Sequence, residues 1–200
     1  MRLFHHPNST FSWRIRIALV EKRLEVELVA LDFAGGEHKA PAYLALNPYG
    51  RIPTLIDGGV TLYESTAILD YLEAQYPTPP LVPADARGRG LCTMHSKLCD
   101  LEIGVHGRAL IFPSRFVPRD KWNAAEMAAA REQITHHLEI LDGQLGEPWL
   151  LGEQYSLADI HYTPFARFWG VLGITPPSRV AAWTERLLAR PSAFASAPTR

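Results

Sequence analysis

The sequence predicts an α/β domain followed by an all-helical one, and three observations carry that reading. Short runs with strand and helix patterning interleave through the first 76 residues. The stretch "PTPPLVP", residues 77–83, then holds four prolines in seven positions and forbids regular structure. Beyond it the chain shows helical spacing only.

Residues 2–6 form a short apolar opening suited to a strand. Asn8-Ser9-Thr10 then offers cap chemistry before Trp13, Ile15, Ile17, Ala18 and Leu19, whose spacing mixes strand and helix; the cap residues decide for a helix starting near Thr10. "EVELVAL", residues 25–31, alternates polar and apolar and reads as a second strand. After the loop "DFAGGEHKAP" comes a short helix around "AYLAL", then "TLIDGGVTLY", residues 54–63, a hairpin by its Asp-Gly-Gly signal. "ESTAILDYLEAQY", residues 64–76, places Ala67, Ile68, Tyr71 and Leu72 on one helical face with Ser65 near its start. The order β-α-β-α-β-β-α is that of a thioredoxin-like domain, two layers with helices over a mixed sheet. The prolines set the expected domains at 1–77 and 84–200, joined by a linker at 78–83. Helical segments are expected near 85–112, 121–145, 156–171 and 178–190, punctuated by Pro113, Pro118, Pro148, Pro176-Pro177 and Pro191.

Composition narrows the function. The 20 Lys and Arg against 21 Asp and Glu leave no positive field to hold a nucleic-acid backbone, so no nucleic-acid partner is expected. No stretch reaches the roughly eighteen apolar residues of a membrane span, and the N-terminus has no signal-peptide run. No membrane partner is expected, and the cytoplasm is the expected location. Cys92 and Cys99, seven apart in a helical segment, stand about 10 Å apart, beyond disulfide reach, and read as packing residues. The eight His include no metal-ligand spacing, so no metal is expected.

Thioredoxin-like domains usually work through a cysteine at the start of the first helix. Here the first cysteine is at 92, so sulfur chemistry needs a thiol brought in by a small molecule. At the strand-to-helix turn stands "PNSTFSWR", residues 7–14, where a hydroxyl can donate to a bound thiolate and the helix N-terminus adds partial positive charge. "NPYGRIPTL", residues 47–55, puts Ile52-Pro53 where sheet pairing should begin. From the residues alone this is either a hairpin entry or a cis proline that turns the Ile52 N–H and C=O toward a peptide-like ligand.

The blocks "STFSWRIRIAL", "GEHKAPAYLALNPYGRIPTL", "LYESTAILDYL" and "LLGEQYSLADIHY", in this order and spacing, resemble the cytosolic glutathione transferases across nearly the whole chain. In detail the chain looks most like the serine-type classes, phi first and zeta second, through "S-T-x-S-x-R" and "GEHK…NPYG". The resemblance implies the glutathione transferase fold: a thioredoxin-like N-terminal domain that binds glutathione as co-substrate, and an all-α C-terminal domain that contributes the electrophile pocket. It implies that Ser9 hydrogen-bonds the glutathione sulfur, with Thr10 and Ser12 as local competitors. His38 and Lys39 match the pair at the glycine carboxylate, and Arg51 stands where many relatives carry Gln or Lys. Ile52, before a cis Pro53, pairs through its backbone with the cysteinyl part. Glu64 faces the α-ammonium, and Ser65 with its helix N-terminus takes the α-carboxylate.

The implied reaction is transfer of glutathione to a hydrophobic small-molecule electrophile, or reduction of a peroxide. The alternatives are a zeta-type maleylacetoacetate isomerase and a non-catalytic ligand-binding module. An electrophile pocket between the domains is expected to be walled by Phe11, Phe33, His106 and Leu110. Phe11 stands where many zeta relatives carry Cys, which counts against the isomerase. Arg108 and Arg115 read either as acid-recognising groups or as plain surface arginines. The resemblance also implies a homodimer, with the first helices of the helical domain about a two-fold axis. Ser156-Leu157-Ala158-Asp159 resembles the family's capping box, a folding element, and Phe165, Phe168 and Trp169 read as core.

Overall fold

The computed structural model describes residues 1–198, without the side chains of Arg115 and Phe116. Arg115, one of the two candidate acid-recognising arginines, therefore lies outside the described side chains. In chain order the elements are β1 (Arg2–His5), α1 (Thr10–Glu21), β2 (Glu27–Ala30), a 3-10 turn (Glu37–Lys39), α2 (Pro41–Leu44), β3 (Thr54–Asp57), β4 (Val60–Tyr63) and α3 (Ser65–Gln75). These are followed by α4 (Ala86–Leu98), a π-helical stretch (Cys99–Gly104), α5 (Val105–Phe116), a second 3-10 turn (Arg119–Lys121), α6 (Ala124–Gln144), α7 (Leu157–Ala166), α8 (Trp169–Leu172), α9 (Ser178–Ala189) and α10 (Pro191–Ala195). The chain divides into two compact units, Met1–Leu81 together with the chain from Arg190 on, and Val82–Ala189.

The first unit is built on one mixed sheet of order β2-β1-β3-β4. β1 and β2 run parallel, Arg2 opposite Glu27, which requires a crossover, and α1 provides it. β3 pairs antiparallel with both β1 and β4, and the Asp57-Gly58-Gly59-Val60 turn closes the β3–β4 hairpin. The core gathers Leu3, Leu55, Ile15, Ile17, Ile68 and Leu72, each at most 1% exposed. α1 is buried almost without interruption from Thr10 to Leu19. A helix buried all round shows no apolar stripe, which explains why its sequence mixed strand and helix spacing.

Two features add detail to the expected division of the chain. The segment from Arg190 on belongs with the first unit, because Glu21 on α1 binds Arg190 (Nε at 2.5 Å, Nη2 at 2.9 Å) and the Ser192 hydroxyl, while the Trp13 indole donates to Ser196 Oγ at 3.0 Å. The proline-rich stretch is tethered rather than a free linker: buried Lys22 pairs with Glu73 at 2.6 Å and donates to the carbonyls of Tyr76 (2.7 Å) and Pro79 (3.0 Å). Glu73 also accepts the Leu81 N–H. The first unit therefore runs on to Leu81, inside the expected linker at 78–83.

The second unit contains only helices as regular elements among its described residues, apart from a single bridge between Trp149 and Gly152. The expected helix 85–112 runs on to Phe116, because Pro113 sits close enough to the end of α5 to forfeit one N–H bond without stopping it. The expected helix 156–171 breaks between Ala166 and Trp169, where "ARFWG" offers no proline and its only glycine lies beyond the break. At the start of α7 the Asp159 carboxylate, with no exposed surface, accepts from the N–H groups of Leu150 (2.9 Å) and Ser156 (3.0 Å), the Ser156 hydroxyl (3.0 Å) and the Trp183 indole (2.9 Å). Burial pushes its carboxyl above the ordinary range and these bonds pull it back, so the group acts as a structural clamp. Phe165 and Trp169 are buried, and Phe168 is half-buried. Cys92 and Cys99 are buried free thiols, and Cys99 donates to the His161 carbonyl at 3.3 Å.

Candidate functional site

Ser9 is the N-cap of α1: its backbone is extended and its Oγ accepts the Ser12 N–H at 3.1 Å. A hydroxyl that accepts in this way keeps its own hydrogen, so capping leaves Ser9 able to donate to a ligand. Ser12, the nearest competitor, is fully buried, and Thr10 is 9% exposed. Ser9 alone of the three is half-exposed.

Between α2 and β3 the backbone is shaped by one buried hydrogen-bond chain. The Arg51 carbonyl accepts from the Tyr43 hydroxyl (2.5 Å) and the Asn47 amide (2.8 Å). Since the single Tyr43 hydrogen goes to Arg51, Thr54 must donate to the Tyr43 oxygen (2.8 Å), and Asn47 donates to Thr54 in turn (3.2 Å). The next residue, Ile52, is left with its N–H and C=O unpaired among the described residues, and the Ile52–Pro53 bond is cis. Gly50 packs so closely on the 3-10 turn that an added Cβ would lie 2.7 Å from the His38 carbonyl and 2.8 Å from Lys39 Nζ, and its φ of +57° is a second reason for glycine. Lys39 Nζ donates to the Tyr49 carbonyl at 3.3 Å. The His38 ring stacks on Phe33 with centroids 4.1 Å apart, and its Nδ1 is buried without a partner.

At the end of β4, Glu64 is exposed and takes a φ of +71°, a region that costs a non-glycine residue about 1–3 kcal/mol. It caps α3 with no side-chain bond, so the helix opens with N–H groups its N-cap side chain leaves unmet. Ser65, 6% exposed, accepts from the guanidinium of Arg14 at 3.4 Å; Arg14 itself has no exposed surface and lies 4.9 Å from the centre of the Phe11 ring. Phe11, Asn47, Arg51, Ile52, Pro53, Glu64 and Ser65 line a cleft of about 120 Å³. Ser9, His38 and Lys39 lie outside that lining.

The expected second-substrate residues are placed unevenly. Phe11 lines the cleft just described, and Phe33 stacks on His38. On α5 His106 is half-buried, but Leu110 has no exposed surface and offers none to a ligand; it faces the core of its unit. The open face of α5 is a hollow of about 230 Å³ lined by Val105, Arg108, Phe112 and Pro113, with Asn123 and Met127 from the α6 region. Among the described residues no group of three His, Cys, Asp or Glu side chains can hold a metal, and no helix is long and apolar enough to cross a membrane.

Residues 1–74 match the glutathione S-transferase N-terminal domain and residues 100–191 the glutathione S-transferase C-terminal domain. A maleylacetoacetate isomerase of Pseudomonas aeruginosa is 36% identical over 178 residues, covering 82% of this chain and 79% of that protein. The chain belongs to the glutathione S-transferase family. A tobacco (Nicotiana tabacum) member, glutathione S-transferase PARB, is 31% identical over 93% of this chain and 92% of its own. A solved maleyl pyruvate isomerase, described as a bacterial glutathione S-transferase in the zeta class, superposes with a TM-score of 0.84 at 29% identity, covering 99% of this chain and 97% of that one.

Glutathione S-transferases take glutathione as co-substrate, and the first unit carries a backbone edge at Ile52 that is unpaired among the described residues and a helix start at Ser65 whose N-cap side chain makes no capping bond. Three residues of this site escaped the sequence reading. Tyr43 and Asn47 set the Arg51 carbonyl, and Arg14 stands behind Ser65. The signals were present in motifs: Asn47 opens "NPYG", where an Asn before proline marks a turn, and Arg14 closes "S-T-x-S-x-R", although helix patterning alone sets an arginine at the surface.

Proposed function

We propose that this chain is a glutathione transferase in which Ser9 hydrogen-bonds the thiolate of a glutathione laid across the first unit. The observation that carries the reading is the unpaired Ile52 N–H and C=O before Pro53, an edge shaped for one extended residue and held there by Asn47 and Tyr43. Ile52 pairs with the cysteinyl backbone. Ser65 and the N–H groups opening α3 take the γ-glutamyl carboxylate, with buried Arg14 behind them adding positive charge. Glu64, exposed and with no side-chain partner among the described residues, meets the ammonium. His38 and Lys39 serve the glycine end, and Arg51 adds a cation near the same edge. Bound glutathione supplies the nucleophilic sulfur; the protein supplies position, a hydrogen bond and the α1 dipole, with no covalent enzyme intermediate.

The second substrate is a hydrophobic small molecule carrying an electrophilic carbon or a peroxide. Phe11, Phe33 and His106 remain proposed contacts, and Leu110 is withdrawn. Maleylacetoacetate isomerisation is the second reading, favoured by the 36% identity to an enzyme of that name. The chain works as a homodimer in the cytoplasm. Calorimetry with glutathione tests the reading: saturable uptake at millimolar levels is expected, and no uptake overturns it. Turnover of an aryl halide against maleylacetoacetate separates the two activities. Ser9→Ala should move the pH-rate profile upward by about one unit and cut turnover far more than binding; an unmoved profile removes Ser9 from the mechanism.

A further inference from the structure

We infer that Arg16 is a positioning residue for the glutathione thiol, a buried cation that ties the turn carrying Ser9 to the C-terminal segment and presents its charge at that turn. The inference rests on the reading that Ser9 meets the sulfur. Arg16 lies on α1 and is 7% exposed. Its guanidinium spends its donors on three acceptors: Nη2 on the Pro7 carbonyl (2.8 Å), Nη1 on His5 Nδ1 (2.9 Å) and Nε on the Ser196 carbonyl (3.2 Å). A guanidinium only donates, so His5 must accept through Nδ1 and carry its ring hydrogen on Nε2, which makes it neutral. Burial and the neighbouring Arg16 charge act the same way and hold His5 down at about 4.

None of these partners carries negative charge, and Arg16 has no carboxylate partner among the described residues. The nearby acid on the same helix, Glu21, is engaged with Arg190 and Ser192. Burying a cation without a counter-ion opposes folding. Burial lowers Arg16 to about 10, yet it stays charged at neutral pH. Pro7 is two residues before Ser9, so the contact with the Pro7 carbonyl puts the cation next to the place where a thiolate would gather negative charge. Over roughly 10 Å at an effective dielectric of about 20, one unit charge shifts a pKa by about one unit. The contacts to Ser196 and Pro7 also fasten the tail to the turn through one side chain, so the Ser9 hydroxyl is aimed by a bridge rather than by a free loop.

The test is a pH titration of glutathione thiolate absorbance on the intact protein. Arg16→Gln, which keeps amide donors and removes the charge, should raise the bound thiol pKa by about one unit, a roughly tenfold loss of thiolate at neutral pH, while glutathione affinity stays within about threefold. Arg16→Lys should restore the pKa to within about 0.3 unit, a rescue that a purely packing role does not predict. Should Arg16→Gln not fold, His5→Asp leaves Arg16 in place with a carboxylate where His5 Nδ1 now accepts its Nη1, and should raise the thiol pKa by at least about half a unit. A folded Arg16→Gln with an unchanged thiol pKa overturns the inference, as does an unchanged thiol pKa in His5→Asp where Arg16→Gln is unfolded. Ser9→Ala in the same titration keeps the two ideas apart. If it raises the pKa while Arg16→Gln does not, the Arg16 role alone fails; if it too has no effect, the Ser9 reading fails with it.

Discussion

Asn47→Asp tests how the backbone edge at Ile52 is held. Asn47 is 2% exposed, and its amide donates to the Arg51 carbonyl at 2.8 Å and to Thr54 Oγ1 at 3.2 Å, while its Oδ1 accepts the Tyr49 N–H at 3.1 Å. Asn47→Ala removes three hydrogen bonds at about 1 kcal/mol each, but Arg51 and Thr54 both keep Tyr43, so the loss should stop at about 2–3 kcal/mol. Asn47→Asp has the same shape and retains the Tyr49 bond, yet it turns an acceptor toward two oxygens that need donors. The carboxylate faces the Arg51 carbonyl without solvent, so it should be at least as damaging as alanine near neutral pH and should take up a proton more readily than a surface aspartate. Glutathione KM should rise about tenfold or more in Asn47→Asp, since a carbonyl pushed away at Arg51 rotates the Ile52 peptide next to it. Urea unfolding and glutathione saturation curves near pH 7.5 and about pH 5.5 measure both effects, and acid should narrow the gap to wild type as the new carboxyl protonates and donates. An Asn47→Asp enzyme with wild-type KM at both pH values would refute the account of how this edge is aimed.

Two further outcomes follow from the same geometry. Burial, then the charges of His95 and His136, hold His137 at about 4, below its ordinary 6.5. Above 6.5 its neutral form is common to both states; as pH falls from 6.5 toward 4 the unfolded chain binds a proton the folded one refuses, so stability should fall by about 1.4 kcal/mol per pH unit, roughly 2 kcal/mol by about pH 5. Urea midpoints of His137→Gln should lose that share of the slope, and an equal slope in both proteins would exclude His137 as its source. Glu64→Gly should relieve the backbone at φ +71° and raise the melting temperature by a few degrees while glutathione KM rises about tenfold. A lower melting temperature, or an unchanged KM, would show that Glu64 is not a strained ligand-facing residue.

The first unit was legible in sequence wherever local chemistry and global fold agree. Asn8-Ser9-Thr10 announced the start of α1 within a residue, and Asp57-Gly58-Gly59 announced the hairpin. Ser65 at the head of α3 was equally plain. What stayed hidden depends on partners far apart in the chain. Glu21 and Arg190 are 169 positions apart, and nothing local to either says that they meet and carry the last residues back to the first unit. The Tyr43–Thr54–Asn47 chain is similar: each residue alone reads as helix, strand or turn, and only folding shows that Tyr43 and Asn47 converge on the Arg51 carbonyl with Thr54 bonded to both of them. Leu110 failed for another reason, since helical spacing gives a residue's face but not whether that face is core or cleft.

A further consequence concerns which substitutions this site tolerates. In the proposed site the central contact to glutathione is main-chain, at Ile52, so the Ile52 side chain should be free to change while that contact survives. The residues that cannot change are those aiming the backbone: Gly50, whose Cβ would strike the His38 carbonyl, and Asn47 and Tyr43, which fix the carbonyl before it. None of these need touch glutathione. A binding site written in backbone therefore shifts its sequence constraint onto a ring of supporting residues, and the signature to look for in related chains is the Tyr–Asn–Gly scaffold with a proline after the binding residue, rather than any particular side chain at the binding residue itself.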